Sequence, residues 1–125
     1  MKSAKKVFLG GMLQGCCLAM ATYLHLSPHI QLGGVFGNSG GHVLSSWQTS
    51  FSREKRQTPI VLYHGALDVM VPLAKAKMGY SLLKEQGITH LILKVEDDQH
   101  HNISSDAMRD MTCFCRRHMT ENDTD

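Results

Sequence analysis

The stretch Val7-Phe8-Leu9-Gly10-Gly11-Met12-Leu13-Gln14-Gly15-Cys16-Cys17-Leu18-Ala19-Met20-Ala21 decides how the chain is read. Apolar residues run without a polar break into a glycine-rich corner, and small and apolar residues then follow at helical spacing. That is the pattern of a buried strand, a tight turn and a helix. Gly11-Met12-Leu13-Gln14-Gly15 has the frame G-x-S-x-G of a nucleophile elbow, in which glycines let strand and helix close on a sharp turn and the central serine projects its hydroxyl above the sheet. Leu13 stands where that serine would be. The frame is there without its nucleophile.

Two later stretches belong with it. His64-Gly65-Ala66-Leu67-Asp68-Val69-Met70-Val71-Pro72 follows an apolar strand from Pro59 to Tyr63, and Gln99-His100-His101 follows another from Leu91 to Val95. Elbow, acid, histidine is the order in which an α/β-hydrolase presents its triad. With all three in place, the chain resembles the C-terminal half of the acyl-protein thioesterase, lysophospholipase and carboxylesterase family of serine hydrolases. Members of that family have a G-F-S-Q-G-G elbow and an H-G-x-x-D-x-x-V-P segment. Gly11 to Cys16 lies on the first, and His64 to Pro72 matches the second at every fixed position. The resemblance runs from about Lys6 to His118.

It implies an α/β fold: a truncated α/β-hydrolase of about four mostly parallel strands with helices on both faces, forming one partial domain over residues 1–125. It also implies the cleavage of fatty-acyl thioesters or esters on proteins or lysolipids, with no cofactor and no metal. Asp68 is expected to hold the catalytic histidine. His101 takes that register when Lys94 and the acid before the turn are aligned, with His100 as the neighbouring alternative. Asp98 departs from the family, which usually has glycine two or three residues before the histidine, so a different turn is expected. The backbone N–H of Gln14 is one expected oxyanion donor, and the second belongs to a loop upstream of Met1. Leu13 cannot be acylated, and loss of the nucleophile alone in a comparable triad costs on the order of 10⁶ in turnover. Leucine gains nothing from the elbow's strained backbone, so the turn is expected to relax. The alternatives are a non-catalytic acyl- or partner-binding pseudoenzyme and a secreted or lipid-anchored small protein.

Composition narrows the classes. Thirteen Lys and Arg against eleven Asp and Glu give a net charge of +2 with no basic stripe, so nucleic acid is not an expected partner. The four cysteines fall in two close pairs, Cys16-Cys17 and Cys113/Cys115, a spacing unsuited to a disulfide framework. A reducing, cytoplasmic compartment follows. No C-x-x-C pair is present to suggest zinc. The rival reading of the N-terminus takes Lys2, Lys5 and Lys6 as the basic flank of an apolar signal segment and Leu13-Gln14-Gly15-Cys16 as a lipoprotein cleavage box. Gly10, Gly11 and Gln14 weaken the apolar core of such a signal, and the same residues fit the strand and elbow.

Along the rest of the chain, Leu18 to Leu26 suits a helix ended by Ser27-Pro28, and Gln31 to Gly41 reads as a short strand running into a glycine-rich loop. That loop lacks the Lys-Ser/Thr ending of a phosphate cradle. Residues 42–58, with the run Arg53-Glu54-Lys55-Arg56, read as a solvated surface connection, in which Trp47 either anchors the loop or contributes to an apolar acyl-binding wall. Pro72 opens a helix stopped at Gly87, with Leu73, Ala76, Tyr80 and Leu83 on one face. Ser104 is placed to cap a last helix from Ser105 to His118 with a stripe through Met108, Met111 and Cys115, and residues 119–125 read as a frayed polar tail. Val7 to Gly11 would expose an apolar strand edge, so self-association through residues 7–11 is expected.

Overall fold

The structure is a computed structural model, and it describes residues 4–12, 14–27, 29–39 and 52–121. Strand β1 (Phe8–Met12) leads into helix α1 (Gln14–His25) and then strand β2 (Gly34–Asn38). Helix α2 (Arg53–Arg56) precedes strand β3 (Ile60–Gly65), helix α3 (Leu73–Glu85), strand β4 (Leu91–Glu96) and helix α4 (Ser105–Glu121). The strands lie in the order β1-β2-β3-β4 and every neighbouring pair is parallel. In register, Met12, Asn38, Tyr63 and Lys94 stand at one level, so all four strands end at the same edge of the sheet. Ligands and catalytic groups collect at that edge in open α/β sheets.

Two cores explain why the chain folds this way. On one face α1 and α3 lay Cys16, Met20, Tyr23, Leu24 and Leu83 against Val35, Ile60 and Leu62. On the other, Ala107 and Phe114 of α4 pack on Phe36, Val61 and Tyr63, with Phe8, Met111 and Cys115 at the margin. β2 and β3 are buried at every position, as unbroken apolar runs of central parallel strands should be. Truncating a ring such as Phe114 would cost about 3–5 kcal/mol. The outer strands β1 and β4 are only partly covered.

Close packing sets the glycines. A Cβ on Gly34 would stand 2.6 Å from the Phe114 ring, and one on Gly37 would stand 2.4 Å from Cys16 Sγ on the opposite face. The glycines expected in a loop are therefore partly in β2 itself, where they admit a ring from one side and a thiol from the other. Residues 40–51, with Trp47, lie outside the described residues.

The charged run departs further from expectation. Arg53–Arg56 is a helical turn capped by the Ser52 hydroxyl, which accepts from Lys55 N, and the Lys55 side chain is buried. Lys55 Nζ donates to Leu24 O and Leu26 O, each at 2.9 Å, and Tyr23 Oη donates to Lys55 O at 3.0 Å. The ammonium thus takes two carbonyls that α1 leaves unsatisfied at its C-terminus, where the helix dipole also favours a cation. Burial pulls the Lys55 pKa below its ordinary value. Alternating charge looks solvated in a sequence, and only the fold shows that one of the four is a cap.

At the other helices the differences are smaller. α3 buries Ala76, Gly79 and Leu83 and ends before Gly87, whose φ of +84° suits glycine. In α4 the Ser104 hydroxyl accepts from Ala107 N at 2.9 Å, as an N-cap should. The buried stripe runs through Ala107, Met111, Phe114 and Cys115, while Met108 is half exposed. The helix continues to Glu121, past the expected start of the tail, and residues 122–125 lie outside the described residues.

Candidate active site

Asp68 sits three residues past the end of β3, in a turn closed by Asp68 N donating to Gly65 O. One carboxylate oxygen, Oδ1, accepts from the backbone N–H groups of Met70 and Val71, both at 2.8 Å. This Asx-type arrangement leaves the other oxygen for a side chain. Oδ2 accepts from His101 Nδ1 at 2.7 Å. The Asp68 side chain is fully buried and the His101 side chain is 25% exposed. Burial alone would raise the Asp68 pKa, but the Val71 N–H, the His101 ring and the Met70 N–H together hold it below its ordinary value. An ionised acceptor fixes the hydrogen on Nδ1 of His101 and leaves Nε2 to take a proton from elsewhere.

His100 is not the ring on Asp68. The turn after β4 differs from a glycine turn as Asp98 suggests: Gln99 N donates back to Glu96 O, and Leu67 N from the Asp68 loop donates to Gln99 O at 2.9 Å. Gly65 makes this approach possible, because a Cβ there would stand 2.3 Å from Gln99 O and 2.5 Å from His100 O.

Three further residues support the pair, and sequence reading assigned none of them a role. His64 is buried, with Nε2 at 2.6 Å from Val71 O and 3.6 Å from Asp68 Oδ2. A carbonyl only accepts, so Nε2 carries a hydrogen, and Nδ1 is the one buried side-chain polar atom without a hydrogen-bond partner among the described residues. Asn38 and Ser39, both 1% exposed at the end of β2, bond to the carbonyl of Asn102. His64 was visible only as the first letter of a motif. The signal for Asn38-Ser39 was two polar residues ending an otherwise apolar strand.

The turn between β1 and α1 opens on the same edge of the sheet. Leu13 lies outside the described residues, and its flanks are placed: Met12 ends β1 and Gln14 begins α1. A Cβ on Gly11 would meet the Gly15 carbonyl at 2.1 Å, so helix and strand close here as in an elbow. Gly15 has open space around its missing Cβ, so of the two frame glycines only Gly11 is required by close approach. As the first residue of α1, Gln14 contributes an N–H with no intrahelical partner. Cys16 is 2% exposed and packs on Gly37. None of the four cysteines is in a disulfide. Leu67, Val69 and Met70 form an apolar lip around Asp68, with Val69 85% exposed. Among the described residues, no group of three His, Cys, Asp or Glu is arranged to hold a metal ion, and no helix is long and apolar enough to cross a membrane.

Known proteins resemble this chain in sequence and in fold. Acyl-protein thioesterase 1 of Gibberella zeae is 28% identical over 118 residues, covering 92% of this chain and 49% of that protein. Carboxylesterase SOBER1 of Arabidopsis thaliana is 30% identical over 115 residues, again 92% of this chain and 50% of that one. The crystal structure of SOBER1 superposes with a TM-score of 0.79, covering 94% of this chain and 55% of the other. The chain thus spans about half the length of the curated relatives it matches. Residues 2–119 match the Phospholipase/Carboxylesterase family as a whole, and this chain, a four-stranded part of an α/β-hydrolase fold, belongs to that family.

Proposed function

We propose that Asp68 and His101 are the acid–base pair of a fatty-acyl ester or thioester hydrolase, and that this chain, with Leu13 at the nucleophile position, turns over little or no substrate. The observation that carries the reading is the 2.7 Å contact between His101 Nδ1 and Asp68 Oδ2 at the strand edge of a chain in this family. In such a site Asp68 would hold the ring, and Nε2 of His101 would accept the proton of an attacking hydroxyl and return it to the leaving group. The Gln14 N–H would donate to the oxyanion. Leucine offers no hydroxyl, so no acyl intermediate forms on the chain. The substrate class is a fatty-acylated protein, in keeping with the name acyl-protein thioesterase 1 among the relatives, or a lysolipid, and the compartment is cytoplasmic, in keeping with four cysteines outside any disulfide. No cofactor is needed for this chemistry. Self-association through the outer strand at residues 7–11 is part of the same reading.

The test is hydrolysis of a medium-chain aryl ester by the purified chain and by Leu13→Ser. The parent is expected to stay at the buffer rate, and Leu13→Ser to gain turnover that a further His101→Ala removes. Turnover by the parent that disappears with His101→Ala would overturn the impairment. Turnover by Leu13→Ser that survives His101→Ala would overturn the role of the pair.

One observation favours a second reading, a non-catalytic binder of acyl groups or of a partner. The lip of Leu67, Val69 and Met70 leaves apolar side chains exposed beside Asp68. Calorimetric titration with a non-hydrolysable acyl thioether would show saturable binding that Val69→Asp abolishes, and an absence of binding by the folded parent would end this reading.

A further inference from the structure

The histidine of the pair comes from the wrong side of the sheet. β4 is three strands from β1, so the loop that carries His101 must lean across about three inter-strand spacings, roughly 14 Å, to bring its ring over the β1–α1 turn. A loop of Asp97 to Ser104 would not hold that lean unaided. Gly65 lets the loop pass closely over the end of β3, where an added Cβ would stand only 2.3 Å from Gln99 O. The next step, from β3 to β2, is made by two side chains.

Asn38 Nδ2 donates to Asn102 O at 3.0 Å, and Ser39 Oγ donates to the same carbonyl at 3.3 Å. Asn38 Nδ2 also donates to Ser39 Oγ at 3.0 Å, so the two side chains brace each other. Asn102 is the residue directly after His101, and its own N–H donates to His100 O, so the peptide groups on both sides of His101 are fixed. Ser39 is the one non-glycine residue with positive φ among the described residues, at +59°, and its N–H donates to Tyr63 O at 2.9 Å. A left-handed serine persists only where its surroundings hold it, and such positions cluster at functional sites. With no need for the hydroxyl, glycine would serve that conformation better.

We propose that Asn38 and Ser39 are positioning residues for His101: they draw the carbonyl of Asn102 onto the end of β2 and so set the direction of the imidazole. The inference rests on the Asp68–His101 reading above. It assigns a task to a strand that contributes no triad member, and it explains why two buried polar residues end a strand that is otherwise apolar.

The test uses the full chain labelled with nitrogen-15, and reads the His101 Nδ1 proton and ring nitrogen shifts by nuclear magnetic resonance beside the melting curve. In Ser39→Gly the left-handed residue is relieved while the hydroxyl is lost. The chain is expected to melt as the parent does but to lose the His101 Nδ1 proton to exchange with water. Asn38→Asp, which keeps the shape and removes the donor, is expected to lose the same signal and, because it buries a carboxylate against Asn102 O, to melt at a lower temperature than the parent. Asp68→Asn separates the two levels of the argument. If it leaves the His101 signal unchanged, the pair itself is wrong and the positioning role falls with it. If Asp68→Asn removes the signal while Ser39→Gly and Asn38→Asp preserve it, the pair stands and the positioning role is overturned.

Discussion

Two corners of one sheet edge are built to different standards. At the ends of β3 and β4, both carboxylate oxygens of Asp68 are engaged, one by two backbone N–H groups and the other by the ring of His101, and neighbouring strands hold the loops. At the end of β1, close-packed Gly11 brings α1 onto the strand next to position 13, where leucine has no hydroxyl to offer and where the expected relaxation of the turn lies outside the described residues. The difference teaches that backbone frame and chemistry are separable. Gly11 is needed for α1 to pack on β1 whatever stands at position 13, whereas the network around Asp68 has more hydrogen bonds than packing alone would require.

The comparison can be broken first on activity, where the expected effect is largest. A chain lacking the nucleophile should turn over an aryl ester on the order of 10⁶ more slowly than a serine-bearing triad, so a progress curve indistinguishable from buffer is expected. Next comes the frame. Gly11→Ala forces a Cβ to 2.1 Å from backbone that has little room to shift, and urea unfolding should show a loss of about 3 kcal/mol, at the upper end for overpacking. A loss comparable to or a little below that is expected for Lys55→Met. It removes the charged donor from two carbonyls at the end of α1, for about 2 kcal/mol by the same measurement.

Acid separates the two corners more gently. The carboxyl of Asp68 has a lower pKa folded than its ordinary 3.8. Its contribution is therefore fully present above that ordinary value and is lost as pH falls through the lower folded-state value. Stability of the parent should decline across this window more steeply than that of Asp68→Asn, measured by urea midpoints at a series of pH values. Last, Gly15→Ala should be neutral or stabilising by up to about 1 kcal/mol, because the added methyl enters open space in a helix. A destabilisation there as large as at Gly11 would erase the distinction between the two frame glycines.

The sheet was legible because its evidence is periodic and local. Apolar runs at Val7, Pro59 and Leu91, each followed by glycine, turn residues or acids, read directly as parallel strands, and Pro72, Gly87 and Ser104 mark helix ends by their own backbone chemistry. Asp68 and His101 were legible through motif order. Lys55 was not, because nothing within several residues of it indicates that the end of α1, some thirty residues earlier, needs a cation. Asn38 and Ser39 were missed for the same reason: their partner, Asn102, is more than sixty residues away, and their role exists only once β2 lies between β1 and β3. Where the strand within Gln31 to Gly41 gives way to loop was not legible, because a strand's need for a missing Cβ at Gly34 and Gly37 depends on what α1 and α4 bring to either side.

The sulfur of Cys16, lodged where Gly37 lacks a side chain, turns α1 into a timed latch. An alkylating reagent cannot reach that thiol until the helix lifts from the strand, whereas Cys113 lies open on α4. The ratio of the two labelling rates, read by mass spectrometry in native buffer, would therefore clock the opening of one face of the sheet without any denaturant.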